Sequence, residues 1–226
     1  MQALDLKSWV EPKLPDKGTR TLEALASYAM VLADAVWKVY RDNRARPETF
    51  PRSVGDFVAI IKKIYTQRDF RIRQIPANYT DGIVAGLSVR TSKSSQVDSY
   101  ITDPQDTSLT RYVVCREMFL LLPQHDGLKT GEVSDTLRDE IYQSLLGSEG
   151  QRPLPSSEIE FVADVAAVQF LFPIEERLLA SVQIASGTSP AMIAAQYRIP
   201  ADVTQLYTLP RMVSYFQNLW LRGAEG

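Results

Sequence analysis

The sequence is poor in the residues that most often build metal and redox sites. It has one cysteine and one histidine among 226 residues. A single cysteine, Cys115, excludes a disulfide within the chain and favours a reducing compartment. The segment before residue 20 has no apolar core preceded by basic residues, so we expect no secretory signal. No apolar run approaches the ~20 residues that cross a bilayer, so the sequence predicts a cytoplasmic protein without a membrane span.

The chain also lacks an excess of charge of either sign. It contains 25 Lys and Arg against 27 Asp and Glu, which gives a net charge of -2 and an isoelectric point near 5.6. This balance disfavours a dedicated nucleic-acid binder, although a local basic patch remains possible. Hydrophobic residues make up 45% and charged residues 23%, which is typical of a globular domain.

Hydrophobic spacing predicts a mostly helical chain with one short region of strands. Three segments, FRIRQI, DGIVAGLSVR and SQVDSYIT, alternate or are rich in β-branched residues, and they predict three strands with an antiparallel hairpin at about 82–101. The predicted fold class is therefore α+β, mostly helical with a small three-stranded antiparallel sheet. Apolar residues at three- and four-residue spacing predict helices over 21–43, 54–65, 107–122, 132–146, 156–171, 174–185, 189–197 and 201–219.

One predicted helix, RYVVCREMFLLL at 111–122, carries an adjacent Arg and Glu in an apolar setting. A metallopeptidase helix of the HExxH kind has two histidines one turn apart, so that both rings reach one zinc ion while the Glu activates water. When the segment CREMFL is aligned with this template, Glu117 takes the place of the Glu. Arg116 and Leu120 stand where the histidines would be, and neither side chain can ligate zinc.

The neighbouring segments resemble the ImmA/IrrE (DUF955) family of zinc-dependent metallopeptidases. The glycine-containing strand GIVAGLSV, the strand DSYIT and the pair Arg111-Tyr112 follow the family's order before its HExxH helix. Downstream, EFVADVAAVQFLFP at 160–173 is similar to the family's second helix, E-x-x-A-N followed by Leu-Met-Pro. In this match Glu160 takes the place of the third metal ligand and Asp164 that of the Asn. The resemblance covers roughly residues 50–210.

This resemblance implies a zincin-like domain over residues 51–220, preceded by an arm and helix at 1–50. It also implies a closing helix-turn-helix-like segment at 189–210. Because both histidines are replaced, we expect no bound metal, no cofactor and no catalytic residue. The relic of the family's site would consist of Arg116, Glu117, Leu120, Glu160 and Asp164. The only histidine, His125, lies beyond Pro123 and outside helical spacing, so it is a poor substitute ligand.

Two interpretations of Arg116 are open at the level of sequence. In one, the guanidinium supplies positive charge to Glu117 or Glu160 and holds two helices together without metal. In the other, Arg116 and Glu117 form the solvent face of an amphipathic helix. Cys115 is expected to be a small buried hydrophobic residue.

The resemblance implies a regulatory role. Family members act on helix-turn-helix transcription repressors, often in phages, mobile elements or stress circuits, and cut them. Without zinc, the same fold would bind such a repressor without cleaving it. The alternatives are an active peptidase built on Glu117, Glu160 and an unrecognised ligand, a DNA-binding regulator, and a scaffold protein. The DNA-binding regulator would use residues 189–210 or the basic stretch 62–73, although Asp202 would face phosphate unfavourably. The oligomeric state is left open by the sequence.

Overall fold

The computed structural model describes residues 5–10, 12–16, 21–43, 50–64, 69–75, 86–90, 96–102, 107–120 and 158–224. The helices in these ranges are α1 (Leu22–Asp42), α2 (Val54–Ile64), α3 (Thr107–Leu120), α4 (Glu158–Leu171), α5 (Ile174–Ala185), α6 (Pro190–Tyr197), α7 (Ala201–Tyr207) and α8 (Pro210–Ala224). The strands are β1 (Asp69–Ile75), β2 (Gly86–Arg90) and β3 (Gln96–Thr102). The predicted predominance of helix is confirmed. The helix predicted at 132–146 and His125 lie outside the described residues.

Helix α4 is the centre of the core. All its residues from Val162 to Leu171 are buried, which is the pattern of a helix surrounded by other elements. Helices α1 and α3 both pack against it. The ring of Phe57 in α2 lies 5.1 Å from that of Phe119 in α3 and 4.6 Å from that of Phe170 in α4, so one aromatic cluster joins three helices.

Helix α1 belongs to the same core as the later helices. The Oγ1 atom of Thr21 caps it by accepting a hydrogen bond from the backbone N–H of Ala24 at 3.1 Å. Besides α4, it packs against α2 and α8. Small side chains allow α1 and α4 to approach each other closely. The fully buried alanines of the two helices are Ala26, Ala29, Ala33, Ala163, Ala166 and Ala167.

The C-terminal helices are short and sharply bounded. Helix α6 has Ser189 as its cap and Pro190 at its first position, where a missing N–H costs nothing. The single helix predicted over 201–219 is wrong, because α7 ends at Tyr207 and α8 begins at Pro210. A proline inside a helix removes a backbone hydrogen bond and clashes with the preceding turn, so the chain stops and restarts there.

The prediction of an α+β, zincin-like domain with a three-stranded antiparallel sheet is wrong. The strand order is β1-β3-β2, and β1 runs parallel to β3; only β2 and β3 are antiparallel. Every buried hydrophobic residue with a described side chain lies in a helix or in a short link beside one. Alternation at period two identifies a strand, but it does not specify the strand's direction or its neighbour.

None of the helices described is both long enough and apolar enough to span a membrane.

Candidate functional site

The candidate site lies where α3 and α4 pack side by side. Arg116 and Glu117 come from the second half of α3, and Glu160 and Asp164 come from the first half of α4. Positions 160 and 164 are four residues apart, so their side chains project from the same face of α4. The two helices therefore bring one guanidinium and three carboxylates together.

Arg116 contacts all three carboxylates. Its Nη1 atom donates a hydrogen bond to Oε1 of Glu117 at 3.4 Å. Its Nη2 atom lies 3.8 Å from Oε1 of Glu160, and its Nε atom lies 4.0 Å from Oδ1 of Asp164. A guanidinium offers donors in several directions, so it can face several acids at once. It thereby links α3 to α4 by charge.

The four side chains differ in their exposure to solvent. The side chain of Glu117 is 2% exposed, that of Asp164 12%, that of Arg116 24% and that of Glu160 33%. Glu117 is thus a buried carboxylate with Arg116 beside it. A buried charge is tolerated only when it has such a partner, because its desolvation costs several kcal/mol.

Two tyrosines fix the carboxylate of Asp164. The hydroxyl of Tyr112 in α3 donates to Oδ1, and the hydroxyl of Tyr207 in α7 donates to Oδ2 at 2.9 Å. Both hydroxyls and the carboxylate are buried. Asp164 therefore joins α7 to the α3–α4 pair.

The arrangement does not fit the zinc site that the family resemblance implies. Zinc needs lone pairs from thiolate, imidazole or carboxylate. The first histidine position holds a cation, Arg116, in contact with the third-ligand position, Glu160. Leu120, at the second histidine position, is half-buried and packs against the hydrophobic core. Within the described ranges, no group of three or more His, Cys, Asp or Glu could hold a metal ion.

The structure answers the question that the sequence left open about Arg116. It brings Arg116, Glu117, Glu160 and Asp164 together as charged partners, and Leu120, one turn after Arg116, packs against the hydrophobic core. The solvent-face interpretation of Glu117 is wrong, because that side chain is buried. Cys115 is fully buried as expected, and burial raises the pKa of its thiol far above the usual range, so the thiol stays protonated.

Sequence reasoning did not include Tyr207 in the site. It lies 43 residues beyond Asp164, in a helix that the helix-turn-helix likeness marked only as a closing segment. The family resemblance includes Tyr112 only as part of the Arg111-Tyr112 pair, which lies within α3. No local spacing could have linked either hydroxyl to Asp164, because both contacts depend on tertiary packing.

Arg111 joins α3 to two loops at the same end of the core. Its Nη2 atom donates to the backbone carbonyl of Arg52 at 2.7 Å, and its Nε atom donates to that of Arg198 at 3.2 Å. Burial lowers the pKa of Arg111. The segments before α2 and after α6 are thus held to the first turns of α3.

The helix-turn-helix-like segment consists of α6 and α7, joined at Arg198–Pro200. Its apolar side faces the core through Ile193, Tyr197, Val203 and Tyr207, all buried. The exposed positions of α7 are Ala201, Asp202 and Gln205, which offer one acid, one amide and no cation. A DNA-binding helix presents cationic or amide side chains to phosphates and bases, and Asp202 would repel phosphate. The contacts shown for this segment are with the core.

A second buried polar cluster links α1, α4 and α5. The fully buried guanidinium of Arg177 donates through Nη2 to Oε1 of Gln169, and Nε2 of Gln169 donates to Oδ1 of Asp34 at 3.3 Å. The Nε and Nη1 atoms of Arg177 meet no acceptor in the described part of the chain. The guanidinium lies 5.0 Å from the ring centre of Phe216, within cation–π range.

Comparison with known proteins does not assign the chain to a family. No family model matches the chain, and no curated protein is significantly similar to it.

Proposed function

We propose that this protein is a catalytically inactive relative of the ImmA/IrrE metallopeptidases that acts as a regulatory protein-binding module. Its partner is a helix-turn-helix transcription repressor of a phage, mobile element or stress circuit. The observation that carries the proposal is the position of Arg116, which contacts Glu117, Glu160 and Asp164 where the family holds a metal.

The chemistry of the site supports binding without hydrolysis. A peptidase of this kind needs a metal-bound water that attacks the peptide carbonyl, with a carboxylate as base. Here the base position, Glu117, is 2% exposed and its carboxylate accepts from Arg116. A carboxylate that is almost inaccessible to solvent and already accepts from a guanidinium is poorly placed to activate a water molecule.

A metal measurement tests the inactive state. We expect the purified protein to contain substoichiometric zinc, and a chelator to leave its melting temperature unchanged. The double variant Arg116→His/Leu120→His restores both imidazoles beside Glu160, and we expect it to gain about one zinc ion per chain. Its control, Arg116→Gln/Leu120→Gln, alters the same positions without adding a soft ligand.

Two results would contradict this. Stoichiometric, tightly held zinc in the unaltered protein would overturn the inactive state. Equal zinc content in the histidine and glutamine double variants would remove the support for descent from a metal site.

A capture experiment tests the partner. We expect the tagged full chain to retain an intact helix-turn-helix repressor from its native cells. Glu160 is the most exposed of the four charged side chains, at 33%, so Glu160→Arg should abolish capture. Glu23→Arg, at an exposed position of α1, is the matched charge reversal and should not.

Other outcomes assign other functions. A cleaved repressor whose cleavage disappears with Glu117→Gln would show a peptidase. Retention of duplex DNA that weakens with salt, with no protein partner, would show a DNA-binding regulator. Either result would replace the proposal.

A further inference from the structure

The carboxylate of Asp164 belongs to two parts of the structure at once. Its Oδ1 atom accepts a hydrogen bond from Tyr112 on α3 and lies 4.0 Å from the Nε atom of Arg116. Its Oδ2 atom accepts a hydrogen bond from the hydroxyl of Tyr207 on α7 at 2.9 Å. Because both oxygen atoms are in one planar group, a movement that changes the contacts of Oδ1 also changes those of Oδ2. The same carboxylate therefore connects the α3–α4 site with α7.

Helix α7 is an element that can exist in a docked and a released form. It has seven residues, and its N-cap is Pro200, which makes no side-chain capping hydrogen bond. A helix this short depends on tertiary contacts, and such elements open locally at a lower free-energy cost than the core. The Oγ1 atom of Thr204 donates back to the carbonyl of Pro200 at 3.1 Å and so stays within the segment. The hydroxyl of Tyr207, by contrast, reaches α4.

Charge makes the position of Asp164 depend on Arg116. Glu160 and Asp164 are one turn apart on α4, a spacing at which like charges repel each other. Glu117, on α3, contacts the same guanidinium and is 2% exposed, so water screens its charge little. The guanidinium of Arg116 contacts all three carboxylates. If it moves away, the three carboxylates repel each other without this cation, and a displacement of Asp164 lowers that repulsion.

A displacement of Asp164 also breaks the hydrogen bond from Tyr207. We propose that Asp164 couples the α3–α4 site to α7, so that α7 is docked while Arg116 faces the carboxylate and is released when Arg116 is drawn away. Arg116 and Glu160 are the most exposed of the four charged side chains, so a molecule bound at this site would act on the balance between the two forms. The coupling is a property of the chain itself and does not rest on the proposed function.

Hydrogen exchange of the full chain, followed by mass spectrometry, tests the coupling. We expect Arg116→Gln to accelerate exchange of the α7 amides by about fivefold or more, the lower end of ordinary coupling between sites. In a Tyr207→Phe background the same substitution should change α7 exchange by less than about twofold, because the hydroxyl that transmits the displacement is absent. Arg116→Lys keeps the positive charge and should leave α7 exchange close to that of the original chain. Arg222→Gln removes an exposed guanidinium paired with Glu23 and is the matched control.

A second measurement reads the coupling in the opposite direction, because linkage between two sites is reciprocal. Tyr207→Phe favours the released form, so the modification of Arg116 by phenylglyoxal, followed residue by residue by mass spectrometry, should become about fivefold faster or more. Tyr197→Phe is the control and should leave that rate unchanged, because its hydroxyl donates to Glu176 on α5. This measurement keeps Arg116, so it decides the question even if Arg116→Gln does not fold.

Four results overturn the proposal. The first is α7 exchange that Arg116→Gln leaves unchanged or accelerates equally with and without the Tyr207 hydroxyl. The second is an acceleration by Arg116→Lys as large as that by Arg116→Gln, which would show that charge does not keep α7 docked. The third is an equal acceleration in Arg222→Gln, which would show a general loss of stability. The fourth is an unchanged rate of Arg116 modification in Tyr207→Phe.

Discussion

A single side chain, Arg116, determines the chemistry of the α3–α4 contact. Its three nitrogen atoms reach three carboxylates at 3.4 to 4.0 Å, and the carboxylate of Glu117 is almost inaccessible to water. A guanidinium is a cation with donors in several directions. The contact therefore joins α3 to α4 by charge without a metal.

Removal of the Arg116 guanidinium should destabilise the protein. We expect Arg116→Ala to lower the free energy of unfolding by about 2 kcal/mol, because it leaves the buried Glu117 carboxylate without this cation. The measurement is urea unfolding followed by circular dichroism.

The effect of Arg116→Ala can be assigned by a double-mutant cycle. Most of the loss should disappear when Glu117→Gln is also present, since the buried charge that faced Arg116 is then gone. Arg222→Ala, which breaks the exposed pair of Arg222 with Glu23, should cost less than about 1 kcal/mol. Equal losses for the two Arg variants would contradict the buried-pair interpretation.

At this scale the sequence predicted the residues better than their contacts. Four of the five residues proposed from the family likeness, Arg116, Glu117, Glu160 and Asp164, lie together. This was predictable because helical spacing places 160 and 164 on one face. The tyrosine hydroxyls on Asp164 were not predictable, because Tyr207 reaches the site from a separate helix by tertiary packing.

At the scale of elements, the last residue of α7, Tyr207, joins this short helix to α4 and α8. Helix α7 is only seven residues long, and helices of that length are unstable without tertiary contacts. The buried Tyr207 hydroxyl donates to Asp164, and the Tyr207 ring stacks on Phe216 of α8 with centroids 5.7 Å apart. These two contacts connect α7 to α4 and to α8.

Loss of the Tyr207 hydroxyl should loosen α7 selectively. We expect Tyr207→Phe to lower the free energy of unfolding by about 1.5 kcal/mol, since a hydrogen bond to a carboxylate is lost while the ring is kept. Amide hydrogen exchange should accelerate in α7 more than in α4. Tyr197→Phe is the control, because its hydroxyl donates to Glu176 on α5, which is not part of the site. Unchanged exchange in α7 would show that the hydroxyl does not hold this helix.

The extent of the helices was predictable from hydrophobic spacing, but the breaks and the sheet were less so. Helix α5 occupies 174–185 as predicted, whereas one predicted helix divides at Pro210 into α7 and α8. The apolar periodicity continues through that break and conceals it. The parallel pairing of β1 with β3 was also missed, because hairpin reasoning considers only strands adjacent in the sequence.

At the scale of the whole molecule, a series of hydrogen bonds through Asp34, Gln169 and Arg177 connects α1 with α4 and α5. Burial, helped by the nearby Glu175, raises the pKa of Asp34 to about 6 against the opposing effects of Gln169, Arg52 and Arg177. Burial also lowers the pKa of Arg177 to about 10. Burial between α1, α4 and α5 thus disfavours the charged forms of both Asp34 and Arg177.

Global stability should therefore depend on pH through Asp34. The folded state keeps a proton that the unfolded chain releases near pH 4, so this group stabilises the fold below about pH 4 and loses that contribution as pH rises through about 6. We expect Asp34→Asn, which keeps an oxygen acceptor for Gln169, to raise the free energy of unfolding by about 1–3 kcal/mol near pH 8 and by much less near pH 4.

Chemical denaturation at both pH values measures this difference. Asp56→Asn, on the exposed first turn of α2, controls for the loss of an aspartate charge as such. An equal effect of Asp34→Asn at the two pH values would contradict the raised pKa.

The ion-paired contact of Arg116 also bears on how such a protein can change over generations. Under the proposed function, a reversion of Arg116 to histidine alone removes the cation beside Glu117 and restores only one of the two missing rings. That intermediate loses stability before it can hold zinc. Recovery of a metal enzyme then requires substitutions at 116 and 120 together. The ion-paired helices therefore make a return to metal binding by single substitutions unfavourable. In the cell, the contact would persist equally under zinc starvation and zinc excess.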